Sequence, residues 1–163
     1  VRSNAPITND DLKVDPILQV TVEAPLKTSL AAMIFSRVFE RYPKLKVGVV
    51  EFELAWIPFF LRNMDYIYQQ RAAGVHGTRF KNAALPSDFF RSNVFVSFQE
   101  DDLGIQLRDY IGVDNLMWGS DYPHQESTFP RSREIVDQIL EGVLEEDKGK
   151  IAWENAARLY HFD

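Results

Sequence analysis

The chain has 163 residues, 45% hydrophobic and 26% charged, with 8 Gly and 8 Pro; this is the size and composition of one folded domain and excludes collagen-like or low-complexity sequence. Its 18 Lys and Arg are scattered among 24 Asp and Glu for a net charge of −6, which argues against nucleic acid or anionic lipid as a partner. The absence of cysteine excludes disulfides, thiolate zinc sites and cysteine nucleophiles, no apolar run is long enough to span a bilayer, and the expected location is cytoplasmic.

Residues 1–27 start with Val and are rich in Asn, Asp and Pro; they read as an irregular lead-in, entered partway along a longer chain. From Thr28 to Arg41 the positions Leu30, Met33, Ile34 and Val38 follow helical spacing, with Thr28 as N-cap and Pro43 as the stop. Leu45 to Val50 is a short β-branched apolar run of the kind that forms a strand covered on both faces. It ends at Glu51-Phe52-Glu53. Trp56, Phe59, Phe60, Met64 and Ile67 then predict a helix that closes before Gly74.

Residues 74–92 form a longer connection, with Ser87 placed to cap a brief turn. Val94 to Phe98 is the second predicted strand. Leu103, Ile105, Leu107 and Ile111 predict a shorter helix ended by Gly112. Leu116 to Trp118 is the third strand and runs into the polar loop Gly119-Ser120-Asp121-Tyr122-Pro123-His124. Pro130 is placed to open the next helix, and Ile151 to Tyr160 form the last. Strand–helix alternation implies parallel strands joined by crossovers. Three buried parallel strands cannot cover themselves on both faces, so the sequence reads as a section of a larger parallel sheet or barrel. No self-similar internal repeat is visible.

In such folds ligands sit outside the carboxyl ends of the strands. Here those ends carry Glu51 and Glu53, then Gln99, Glu100, Asp101 and Asp102, then Asp121 with His124 and Glu126. Converging carboxylates call for a cation or a proton, although acids at these places also cap the helices that follow. Asp121 stands apart because it follows a Gly-Ser pair and precedes Tyr-Pro, which holds its carboxylate on a stiff backbone. His124 is placed to donate to a substrate carboxylate or to orient Asp121. His76 reads as a surface residue. Trp56, Phe59, Phe60, Phe95 and Phe98 read as core, and Arg131 and Arg133 as helix-surface charge that could also steer an acidic substrate. No phosphate-binding glycine loop follows any strand, which argues against a nucleotide site.

The run Leu116 to His124, the ending Asn155-Ala156-Ala157-Arg158-Leu159-Tyr160, and Phe39 to Val47 with Trp56-Ile57-Pro58-Phe59 together resemble the amidohydrolase-related family, relatives of the aminocarboxymuconate-semialdehyde and resorcylate decarboxylases. The resemblance covers nearly all the chain from about residue 27. It implies an α/β fold, the C-terminal portion of a TIM-like (β/α)₈ barrel with about three strand–helix units, so that residues 1–163 form one partial barrel domain. Complete barrels of this kind need about 250 residues.

The resemblance further implies a metal-dependent hydrolase or decarboxylase acting on a small carboxylic or aromatic acid. Asp121 is then the catalytic and metal-facing carboxylate, with His124, Glu51 and Glu53 as residues near the substrate or supporting Asp121. The complete family site holds a divalent metal, Zn or Mn. This chain has none of the family's first-strand or fifth-strand histidines, and Phe52 stands where many relatives have histidine. Catalytic zinc takes about three protein ligands, so metal binding and activity by this chain alone are expected to be weak or absent. Strict alternation turns Glu51 and Glu53 to the side opposite Phe52. The alternative is a degenerate partial barrel that acts as an inactive interaction or dimerisation module, and in either case a homo-oligomer or association with the remaining barrel part is expected.

Overall fold

The structure is a computed structural model and describes residues 16–75 and 79–162, the side chains of 72–75 excepted. Part of the expected lead-in is helical: α1 spans Pro16–Val20 and α2 spans Glu23–Phe35. Proline suits a first helical turn because its missing N–H has no partner there in any case. Glu23 lies at the positive end of α2 and pairs with Lys27 one turn later at 3.0 Å. Thr28 is therefore not a cap; it sits inside the helix and its Oγ1 donates to the Ala24 carbonyl at 3.2 Å. Nor does the helix run through to Arg41, because Arg37 takes φ 60° and separates α2 from α3 (Val38–Arg41).

Three units follow. The first is β1 (Val47–Val49) and α4 (Ile57–Val75); α5 (Pro86–Asn93) then leads into β2 (Val94–Phe98). Two short helices, α6 (Asp102–Gln106) and α7 (Arg108–Ile111), stop at Gly112, whose φ of 111° suits a residue without a Cβ. After β3 (Leu116–Trp118) come α8 (Ser132–Ile139), α9 (Glu145–Gly149), a π-helical turn over Lys150–Glu154 and α10 (Asn155–Tyr160). Ser87 does not cap α5. Leu85 holds the N-cap position, its N–H donating to Asp88 Oδ2 at 2.8 Å, and Ser87 is buried one residue into the helix. Pro130 lies in the turn before α8 rather than at its first position.

The strands form one parallel sheet in the order β1-β2-β3, with Val49 opposite Val96 and Phe98 opposite Trp118. Side chains alternate across a strand, so Val49, Val94, Val96, Phe98 and Leu116 share one face. That face packs into a core with Leu30, Ile34, Leu54, Ile57, Leu61, Phe90, Ile105, Ile111, Leu140 and Ile151 from the helices. Gly48, Phe95, Ser97 and Met117 share the other. The expectation that β1 is covered on both faces is not met: Gly48 is exposed and Val50 is 47% exposed. Phe59 also departs from its expected place in the core and is 75% exposed. The buried stripe of α4 runs instead through Ile57, Leu61, Met64 and Tyr68, which is the i, i+4, i+7, i+11 spacing of one helix face.

A structural repeat absent from the sequence pattern ties the three strand starts. Asn93 Nδ2 donates to the carbonyls of Pro43 and Leu45 at 3.0 and 2.7 Å. Asn115 does the same to Arg91 and Val94 at 2.8 and 2.6 Å. Asn155 donates to Val113 and Leu116, both at 2.8 Å. Each amide satisfies two carbonyls where a strand begins, so backbone acceptors buried at this end keep their partners.

Candidate active site

The opposite end of the sheet carries the acids. Asp121 follows β3 by three residues and holds φ 55°, a left-handed conformation that Asp tolerates better than most residues. Its Oδ2 lies 3.0 Å from His124 Nδ1, with 20% of the Asp121 side chain exposed against 60% for His124. The His124 N–H donates back to the Asp121 carbonyl at 2.8 Å, so the two residues close one tight turn. The loop beyond is gathered on the Ser120 carbonyl, which accepts from Ser127 Oγ at 2.7 Å and from the Thr128 N–H at 3.1 Å.

Glu51, Phe52 and Glu53 lie past the end of β1, and strict alternation fails there. Glu51 and Glu53 take φ 67° and 51°, and Phe52 packs against the helix-side core. Glu51 is left exposed. Glu53 is half-buried and turns across the rim, its Oε2 accepting the Gln99 N–H at 3.3 Å. Three positive-φ acids thus stand at the mouths of β1 and β3, the kind of backbone strain that clusters at functional sites. The structure brings Glu53, Gln99 and the Asp121–His124 pair to one rim and leaves Glu51 at its outside. His76 lies outside the described residues.

Asp101 caps α6 through the Gly104 N–H, as expected of a strand-end acid, but it also accepts from Leu54 and Ala55. That second role had no local signal, because its partners are 47 and 46 positions away. Gln99 was legible only as one polar residue at a strand end. The exposed Arg131 guanidinium holds Glu134 through two bonds of 2.9 and 3.0 Å. The Glu134 partner, with a smaller contribution from Glu100, raises the Arg131 pKa, and Arg131 in turn lowers that of Glu134. Among the described residues no group of three or more His, Cys, Asp or Glu is placed to hold a metal ion, and no helix is long and apolar enough to cross a membrane.

A parallel sheet with helices packed on one face, a second face left exposed at β1, where Gly48 and Val50 lie, and an acidic rim at its carboxyl ends is a section of a TIM-like (β/α)₈ barrel. Residues 18–162 match the amidohydrolase family, and the chain belongs to it. It is similar to an amidohydrolase from Mycobacterium avium subsp. paratuberculosis K-10, with 30% identity, a TM-score of 0.71 and coverage of 89% of this chain and 36% of that one. It is also similar to 5-carboxyvanillate decarboxylase from Sphingomonas paucimobilis, at 27% identity and TM-score 0.67, over 82% of this chain and 39% of that one. The same fold occurs in dihydroxybenzoic acid decarboxylase from Polaromonas sp. JS666, solved with manganese and 2-nitroresorcinol; identity is 17%, the TM-score 0.67 and coverage 99% and 48%. The chain thus spans less than half the length of each of these proteins.

Proposed function

We propose that this chain carries the last three strand–helix units of an amidohydrolase-family barrel that decarboxylates a small aromatic acid, with Asp121 as the proton-transfer residue. In that reaction the bond between ring carbon and carboxylate breaks, carbon dioxide leaves, and the electron pair left on the ring carbon takes up a proton. Asp121 delivers it from its protonated form and, left as the carboxylate oriented by His124, takes up a proton from water before the next turnover. A positioned acid of this kind contributes about 10²–10⁴-fold to rate. The observation that carries the reading is the Asp121 carboxylate, mostly covered and held by His124 at 3.0 Å, at the carboxyl end of β3. The decarboxylases among the similar structures support aromatic acids as the substrate class.

The complete site takes a divalent metal, Zn or Mn, for which Asp121 is the one ligand this chain offers. The described residues do not by themselves fit such an ion, and binding by this chain alone is weak. Association with the remaining part of a barrel, or with a second copy, covers the face that leaves Gly48 and Val50 open.

The test is carbon dioxide release from hydroxylated benzoic acids with manganese, measured on the longest form of the protein that can be expressed. Release should fall at least about 100-fold in Asp121→Asn. Release that persists in the variant, or hydrolysis of an ester or amide in its place, contradicts the reading.

A further inference from the structure

We infer that Gln99 is the positioning residue of the rim, the side chain that fixes the Asp121–His124 turn relative to the ends of β1 and β2. The inference rests on Asp121 being the working carboxylate. Gln99 is half-buried, and its backbone N–H, backbone carbonyl and side-chain Nε2 all bond across the rim. Its N–H donates to Glu53 Oε2 at 3.3 Å, which ties it to the end of β1. Its carbonyl accepts from Trp118 Nε1 at 3.2 Å, which ties it to β3. Its amide Nε2 donates to the carbonyls of Ser120 at 3.3 Å and Glu126 at 3.4 Å.

The last two contacts decide the role. Ser120 and Glu126 flank the segment that contains Asp121 and His124, so one amide group spans both ends of the turn. Among the described residues no other side-chain donor reaches both carbonyls. Each bond is long and individually weak, too weak to hold the fold together. The Ser127 Oγ and Thr128 N–H bonds to the Ser120 carbonyl close the loop on itself, and the joint effect of the two Gln99 bonds is to fix that loop against the end of β2. A misplacement of about 1 Å at a reacting group can cost about 100-fold in rate, so a residue that sets this loop acts on turnover without touching substrate.

The test is ¹⁵N relaxation on the full 163-residue chain, wild type beside Gln99→Leu and Gln99→Glu. The leucine removes both amide donors at similar size. The glutamate keeps the shape but turns an oxygen toward two carbonyls. Both variants should lower the order parameters of the amides from Asp121 to Ser127 from about 0.85 to below about 0.6, shift the His124 Nδ1 resonance, and leave the amides of Val96 and Met117 unchanged. In the turnover assay kcat should fall while KM changes little.

Loop amides that stay rigid in a folded variant overturn the inference. So does order lost equally across the sheet, or failure of both variants to fold, since either makes Gln99 a structural residue only. If Asp121→Asn keeps its turnover, the functional reading fails while the relaxation result still reports whether Gln99 holds the loop.

Discussion

Asp101 and Leu54 stand 47 positions apart, and the Asp101 Oδ2 accepts the Leu54 N–H at 2.7 Å. The same oxygen accepts from Ala55, and Oδ1 from Gly104, each at 2.7 Å. One carboxylate, 8% exposed, thus joins the loop after β1 to the loop after β2 and fixes where Glu53 and Gln99 meet.

Replacing that carboxylate leaves three backbone donors without a partner. A buried unsatisfied donor costs about 1–3 kcal/mol, so Asp101→Ala should destabilise the chain by about 3 kcal/mol or more in urea unfolding. Asp101→Asn, which keeps one acceptor oxygen, should cost less. Equal midpoints for wild type and Asp101→Ala would show that water replaces the carboxylate.

Gly104 is the counterpart of the same joint. A Cβ there meets Leu54 Cβ and, at 2.5 Å, Asp101 Oδ2, contacts that force the two loops apart. Overpacking of this kind costs about 1–3 kcal/mol, and Gly104→Ala should show it. Since both changes break one joint, the double variant Asp101→Ala/Gly104→Ala should lose less than the sum of the singles. Simple additivity in the double-mutant cycle counts against the shared joint.

At the other end of the sheet, Asn155 is fully buried, and its Oδ1 accepts from Arg158 at 3.0 Å while its amide serves two carbonyls. Asn155→Ala should cost about 2–4 kcal/mol in chemical denaturation through the unsatisfied acceptors. Asn155→Asp should cost more, because a carboxylate oxygen would face those carbonyls. An Asp variant as stable as wild type contradicts the assignment of the amide as donor.

The Arg131–Glu134 pair makes a prediction about pH. The hydrogen bond from Arg131, and then its charge, lower the Glu134 pKa below its ordinary 4.5. A carboxylate depressed on folding contributes stability above its unfolded pKa, and that contribution is lost as pH falls through the lower folded value. Carbon-detected NMR titration should place the Glu134 midpoint below 4.5, rising to the ordinary value in Arg131→Ala. An unmoved midpoint would show that the guanidinium is free for another partner.

How far the sequence led depends on the range of each interaction. β2 and β3 were legible to the residue because Val94 to Phe98 and Leu116 to Trp118 are apolar runs bounded by polar turns. The tight turn at Asp121 was legible because a polar Gly-Ser pair precedes it and the proline of Tyr-Pro after it restricts the backbone. The break at Arg37 was not, since nothing in an arginine announces a positive φ. Phe59 misled because Phe59 and Phe60 both satisfy a helical spacing, and only packing selects which one is covered. Glu53 and Gln99 met through backbone turns that strict alternation does not describe. The clasp at Asp101 and the asparagine repeat are made across tens of residues, where local pattern carries no information about the partner.

If Asp121 is the metal-facing carboxylate, a cation approaches this chain at the rim that carries it. Manganese is paramagnetic, so even weak binding broadens nearby amide resonances of the ¹⁵N-labelled protein. Broadening should centre on Ser120, Asp121 and His124, extend to Glu53 and Gln99, and be much reduced in Asp121→Asn. Broadening confined to Glu145, Glu146 and Asp147, or a rim pattern unchanged in the variant, would contradict that role of Asp121.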